Sequence, residues 1–229
     1  LIMKRDRRGH GIVALFLALL IMALGVMTAS AANTIVTPAN PDGWAAANIA
    51  SGATVAITSD NPRDGLGSLK FNSPNGKADF QKTWTSATRT LGSLSDVSFE
   101  YYRDSSSSTA AHFSPALRLL FWQDNAPAGP GVEDHFGYLV WEGTYNGINP
   151  APTNSWQAEN LFADNFWMRL VSGPNTIGGC NKTIQNYNST LTDWTTSNPA
   201  GQPGDCVAPN LDANTLIYGV NTGVGSGWG

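Results

Sequence analysis

Residues 114–123 read Ser-Pro-Ala-Leu-Arg-Leu-Leu-Phe-Trp-Gln, SPALRLLFWQ. In an extended chain successive side chains point to opposite faces. Leu117, Leu119 and Phe121 then share one side, and Ala116, Leu120 and Trp122 the other. A strand that is apolar on both faces belongs in the middle of a sheet, covered above and below. Arg118 is the odd member. A guanidinium among such neighbours must reach water or pair with a carboxylate. Glu100 or Glu142 across the sheet would supply one. Arg118 therefore reads first as half of a structural ion pair and second as a ligand contact.

The two-residue period recurs on both sides of this stretch. Val55 and Ile57 alternate within 54–58, Leu69 and Phe71 follow a turn cluster at 59–67, and Ala78, Phe80, Lys82 and Trp84 line one side after SPNG at 73–76. Val97, Phe99 and Tyr101 alternate with Ser98, Glu100 and Tyr102. Phe136 to Glu142, Phe166 to Val171 and Leu216 to Val220 complete the set. Helical periodicity is nearly absent. Eight or so short strands joined by Gly-, Pro-, Asn- and Asp-rich links predict an all-β fold. The form expected is an antiparallel two-sheet β-sandwich of jelly-roll type.

A signal-peptide helix is expected ahead of that sandwich. Lys4-Arg5-Asp6-Arg7-Arg8 is a basic patch, Gly11 to Met27 is an uncharged apolar run, and Thr28-Ala-Ser-Ala-Ala32 is a small-residue exit. Those three parts describe a secretory signal peptide, with cleavage after Ala31 or Ala32. The other reading is a retained anchor, for which seventeen residues fall short of the ~20 a span needs. The expected organisation is a leader over 1–32 and one sandwich domain over 33–229. Removing the leader's four basic and one acidic residues from 13 and 17 leaves a net charge near −7. Nucleic acid and anionic membrane surfaces call for basic patches, so neither is expected as a partner.

Cys180 and Cys206 are the two cysteines. In an oxidising compartment they suggest a disulfide. It would close a loop of about 27 residues and contribute roughly 3.5 kcal/mol in the chain-entropy model. The enclosed stretch is polar and reads as a surface loop, with Trp194 inside it.

DGLGSLKF at 64–71 resembles the Gly-x-Gly-Ser-Leu element near the start of many galactose-binding-like jelly rolls. SPALRLLFW, YLVWEGTYNG, SWQAENL, FWMRL and GVNTGVGSGW are together similar to exported bacterial β-sandwich proteins of the PEP-CTERM surface type. The resemblance implies a carbohydrate-binding-module-like fold and a secreted or cell-surface location, and no shared activity. It also implies one more strand, with an Asp-Asn pair, after the Gly-Ser-Gly-Trp segment. A chain ending at Gly229 is then truncated at its C-terminal strand, and any membrane attachment would be through the leader or a missing C-terminal anchor.

Catalysis finds little support in the residues. The mature chain holds two histidines, His112 and His135, and has no Gly-x-Ser-x-Gly, His-Glu-x-x-His or phosphate-loop motif. A glycoside-active enzyme would need paired carboxylates, and Glu142 with Glu133 or Asp134 is the best set. Binding needs exposed rings beside hydrogen-bonding groups, because sugars stack their C–H faces on aromatics. Trp141, Tyr145 and Trp156 are the candidate rings, with Glu142, Asn146 and Arg118 as candidate polar contacts. Alternation puts Trp141 on the face of Leu139, which makes it core before platform, while Tyr145 beside the Asn146-Gly147 turn is the more exposed ring. Asp60 and Asp64 lie close together on the 59–67 turn, where a structural calcium or simple turn-capping would use them. The expected function is a non-catalytic secreted module that binds a polysaccharide or matrix component. The alternative is a structural or adhesive surface protein without a small ligand.

Overall fold

The computed structural model describes residues 34–74, 76–85, 89–123, 135–172, 183–184, 187–196 and 211–225. The leader, Cys180, Cys206, Glu133 and Asp134 lie outside the described residues. Among those described, the strands are β1 (Trp44–Ala47), β2 (Thr54–Thr58), β3 (Ser68–Asn72), β4 (Ala78–Thr83), β5 (Ser98–Tyr102) and β6 (Ala116–Gln123). They continue as β7 (His135–Trp141), β8 (Trp156–Asn160), β9 (Trp167–Ser172), β10 (Thr183–Ile184) and β11 (Leu216–Val224). One helix, α1, runs Leu191–Thr196.

All pairings are antiparallel. The large sheet has the order β1-β4-β11-β6-β7-β9-β10, and β2-β3 and β5-β8 form two small sheets. The all-β sandwich expected from the alternation is the fold. β6 is central, as its two apolar faces require, lying between β11 and β7. The inner face of the large sheet carries Leu117, Leu119, Phe121, Leu139, Trp141, Met168 and Leu170 into one buried cluster. Opposite them the inward residues of β5 close the sandwich. Phe99 and Tyr101 pack on Trp141 with ring centroids 6.0 and 6.4 Å away. A Trp or Phe buried in this way removes ~150–250 Å² from water. Burial also pushes the Tyr101 phenol up to about 12.

Two local features escape simple alternation. β11 carries a bulge between Ile217 and Gly219, so Tyr218 is the extra residue and the strand re-enters register to run on to Val224. Helix α1 occupies part of the segment read as a polar surface loop. Leu191 and Trp194, three apart on one helical face, are 1% and 0% exposed, and the Trp194 indole donates to the Phe166 carbonyl at 2.9 Å. The signal for it was present. Thr190 and Asp193 form a reciprocal cap, the Thr190 amide donating to Asp193 Oδ2 at 2.8 Å and the Asp193 amide to Thr190 Oγ1 at 3.3 Å.

Gly223 of β11 is fixed by sterics. A Cβ there would lie 2.1 Å from Asp79 Oδ1 and 2.6 Å from the Ala78 carbonyl oxygen. The second of these is backbone and cannot rotate aside. Gly223→Ala is expected to lower stability by about 1–3 kcal/mol, the usual cost of overpacking. A denaturation midpoint equal to wild type would contradict this reading of the β4–β11 contact.

Candidate functional site

The outer face of the large sheet holds a buried polar cluster. β11 lies between β4 and β6 in such a register that Gly223 faces Asp79 while Asn221 faces Gln81 on one side and Arg118 on the other. Arg118 and Asp79 are 2% and 1% exposed. The Arg118 Nη1 donates to Asp79 Oδ1 at 2.8 Å and also to Asn221 Oδ1. The second carboxylate oxygen of Asp79 accepts from Asn48 Nδ2 at 2.8 Å and faces Lys77 Nζ at 3.1 Å. Asn221 Nδ2 in turn donates to Gln81 Oε1 at 3.2 Å. Burial pushes the Arg118 guanidinium down to about 10, with the Asp79 charge and hydrogen bond pulling it back up. It remains a cation at neutral pH.

The sequence offered Glu100 or Glu142 as the partner of Arg118. The carboxylate hydrogen-bonded to it is Asp79, which the sequence reading did not name, and the Glu142 charge also acts on the guanidinium. Glu100 instead takes a two-point contact from Arg63, Nε to Oε2 at 2.7 Å and Nη2 to Oε1 at 2.8 Å. Glu142 accepts from the Trp167 indole at 3.0 Å. Neither contact was legible locally, because strand order decides who faces whom.

The candidate rings separate. Trp141 is 0% exposed and its indole donates to Asp164 Oδ2 at 2.9 Å. Its faces meet Phe99 and Tyr101, so it has none to offer a ligand. Asn146 is also occupied. Its amide nitrogen donates to the carbonyls of Glu142 and Asn165 at 3.1 Å each, and its oxygen accepts from the Asn165 amide at 2.8 Å. It ties the 3-10 turn Gly143–Asn146 to the start of β9. Tyr145, on that turn, is 41% exposed with one face against Tyr187.

Trp156 has different surroundings. It opens β8, a strand absent from the set expected from the alternation. Opposite it on β5 is Tyr102, and the two rings are 5.8 Å apart with a 57° tilt. In this pair of strands Phe99 and Tyr101 turn inward. Ser98, Glu100 and Tyr102 therefore turn outward, opposite Asn160, Ala158 and Trp156. The outer face thus presents two half-buried rings, a small exposed Ala158 beside them, and then the Glu100–Arg63 pair. Arg63 comes from the 59–67 turn, so the β2–β3 hairpin is pinned to β5. On the same turn Asp60 pairs with Lys70 at 2.6 Å, and Asp64 is exposed. Among the described residues no group of three or more His, Cys, Asp or Glu converges as a metal set.

The loops beside the rings are built. Arg103 donates from Nε to the Phe113 carbonyl and from Nη2 to the Thr109 carbonyl, each at 3.0 Å. The Asn154 amide donates to the Arg103 carbonyl at 2.8 Å. Its side chain and Ser105 bond reciprocally, at 3.0 and 2.9 Å. The polar stretch 103–112 is thereby zipped to 151–155. Phe113 at its end is 51% exposed.

A second aromatic group lies on the outer face of the large sheet. Phe136 packs on Tyr138 and Tyr218 at 5.8 and 5.4 Å, and Trp122, paired with Phe136, is 39% exposed. Burial pushes both phenols up, and for Tyr218 the neighbouring Tyr138 adds to the effect. No helix among the described residues is long and apolar enough to cross a membrane. Comparison with family models, with curated proteins and with solved structures returns no match.

Proposed function

We propose that the protein is a secreted or cell-surface module, without catalysis, that binds an uncharged polysaccharide on the outer face of β5–β8. The observation that supports this reading is the Tyr102–Trp156 pair. Its rings sit on neighbouring paired strands, on the side away from the core, with the small exposed Ala158 beside them. Sugar rings present C–H faces to such aromatics and hydroxyls to the polar groups beside them. The surrounding hydrogen bonds hold the pair in place before binding, which lowers the ordering cost of association.

Charge supports the ligand class. The ionisable groups around the rings include Arg63, Lys70 and Arg103 against Asp60, Asp64, Glu100 and Asp104. The acids outnumber the bases, so an anionic glycan meets repulsion and a neutral one does not. Hydrogen-bonded Glu100–Arg63 and Asp60–Lys70 pairs can each accept or donate to hydroxyls at the edge of the platform.

The test is affinity electrophoresis of the chain in gels carrying neutral or anionic polysaccharides. Retention on at least one neutral polymer is expected, and Trp156→Ala should weaken it about tenfold, near 1.4 kcal/mol. Unchanged thermal unfolding of that variant would show that the loss is local. Retention on no polysaccharide would overturn the reading and favour a structural or adhesive role. Retention confined to anionic polymers would keep glycan binding and refute the ligand class.

A further inference from the structure

The chain's six tyrosines are residues 101, 102, 138, 145, 187 and 218, and all of them are described. Tyr101 packs on Phe99 and Trp141, and Tyr102 on Trp156. Tyr138 and Tyr218 each pack on Phe136. Tyr145 and Tyr187 pack on each other, with ring centroids 3.7 Å apart and planes 17° from parallel. Tyr145 comes from the 3-10 turn after β7 and Tyr187 from the lead-in to α1, so they are 42 residues apart in sequence. Tyr145 is 41% exposed, so a small oxidant reaches the pair from solvent.

We propose that Tyr145 and Tyr187 are an oxidative cross-linking site, which a peroxide-driven haem peroxidase converts to an intrachain dityrosine. Each phenol loses one hydrogen atom, as an electron and a proton. The two ring radicals couple through the carbons ortho to their hydroxyls, and each ring recovers its aromaticity by enolisation. One peroxide accepts both hydrogens and leaves as two waters, so two phenols and one peroxide give one carbon–carbon bond and two waters. Radical lifetime makes proximity decide the product. Two rings already in contact couple within the chain before either meets a second molecule. Burial and the adjacent Tyr145 hydroxyl hold the Tyr187 phenol above its ordinary value, so it enters the reaction protonated. The product ties the lead-in to α1 covalently to the end of β7.

The full chain is treated with a haem peroxidase and hydrogen peroxide at low protein concentration, digested, and analysed by mass spectrometry. The expected product is a cross-linked peptide joining residues 145 and 187, two hydrogens lighter than its parts, in a chain that gains dityrosine fluorescence and runs as a single chain under denaturing conditions. Tyr145→Phe and Tyr187→Phe keep the stacking ring and should each abolish that peptide. The proposal is overturned by cross-links that join other tyrosines instead, by cross-links found only between chains, or by a peptide that persists in either variant.

Discussion

Asp79→Ala is expected to lower stability by about 3–5 kcal/mol. The size follows from what the carboxylate faces. Arg118, Asn48 and Lys77 converge on it, and Arg118 is 2% exposed. Truncation removes the hydrogen-bonded carboxylate, the largest of the charges that offset the burial of the guanidinium, and breaking a buried pair from one side carries that magnitude. Arg118→Met should be milder, because Asp79 keeps Lys77 and Asn48 and methionine fills much of the space. The double change Asp79→Leu with Arg118→Met should recover most of the loss, since apolar replacement of a whole buried pair is often neutral. Urea titrations of the four proteins measure this directly. A loss under about 1 kcal/mol for Asp79→Ala would mean that the pair is solvated.

Trp141→Ala should rank with it, at about 3–5 kcal/mol, the range for emptying a buried aromatic site. The indole fills the space between Phe99, Tyr101 and the large sheet, and anchors Asp164. Trp141→Phe keeps most of the volume and loses the donor, so a smaller cost near 1–3 kcal/mol is expected from the carboxylate left without it. This pair of variants separates core from platform. If Trp141 were a sugar-stacking ring, truncation would abolish binding at unchanged stability. Stability is expected to fall instead, with the reverse pattern at Trp156.

The fold was legible because the core is written in alternation. Leu117, Leu119 and Phe121 against Ala116, Leu120 and Trp122 place β6 in the centre, and the period of two around it names the other long strands. What alternation cannot give is which strands become neighbours. Asp79 is one polar residue in a short strand until β11 brings Asn221 beside it and β6 adds Arg118. The same applies to the candidate platform. Trp156 drew notice as a tryptophan near a turn, but Tyr102 read as the polar side of its strand, and only the β5–β8 pairing puts the two rings side by side. β8 itself was missed, since after Trp156 its residues Gln157, Ala158, Glu159 and Asn160 include no β-branched or aromatic side chain and show no apolar alternation. Helix α1 was missed through weighting. Its Thr190–Asp193 cap and Leu191–Trp194 spacing lie in a segment whose composition reads as loop.

The most direct test of the binding face is nuclear magnetic resonance of the indole groups during titration with neutral oligosaccharides. The Trp156 indole signal should shift in a saturable way, with the buried Trp141 and Trp194 indoles unmoved. Saturable shifts at Trp122 with Trp156 silent would move the ligand to the other sheet and contradict the account.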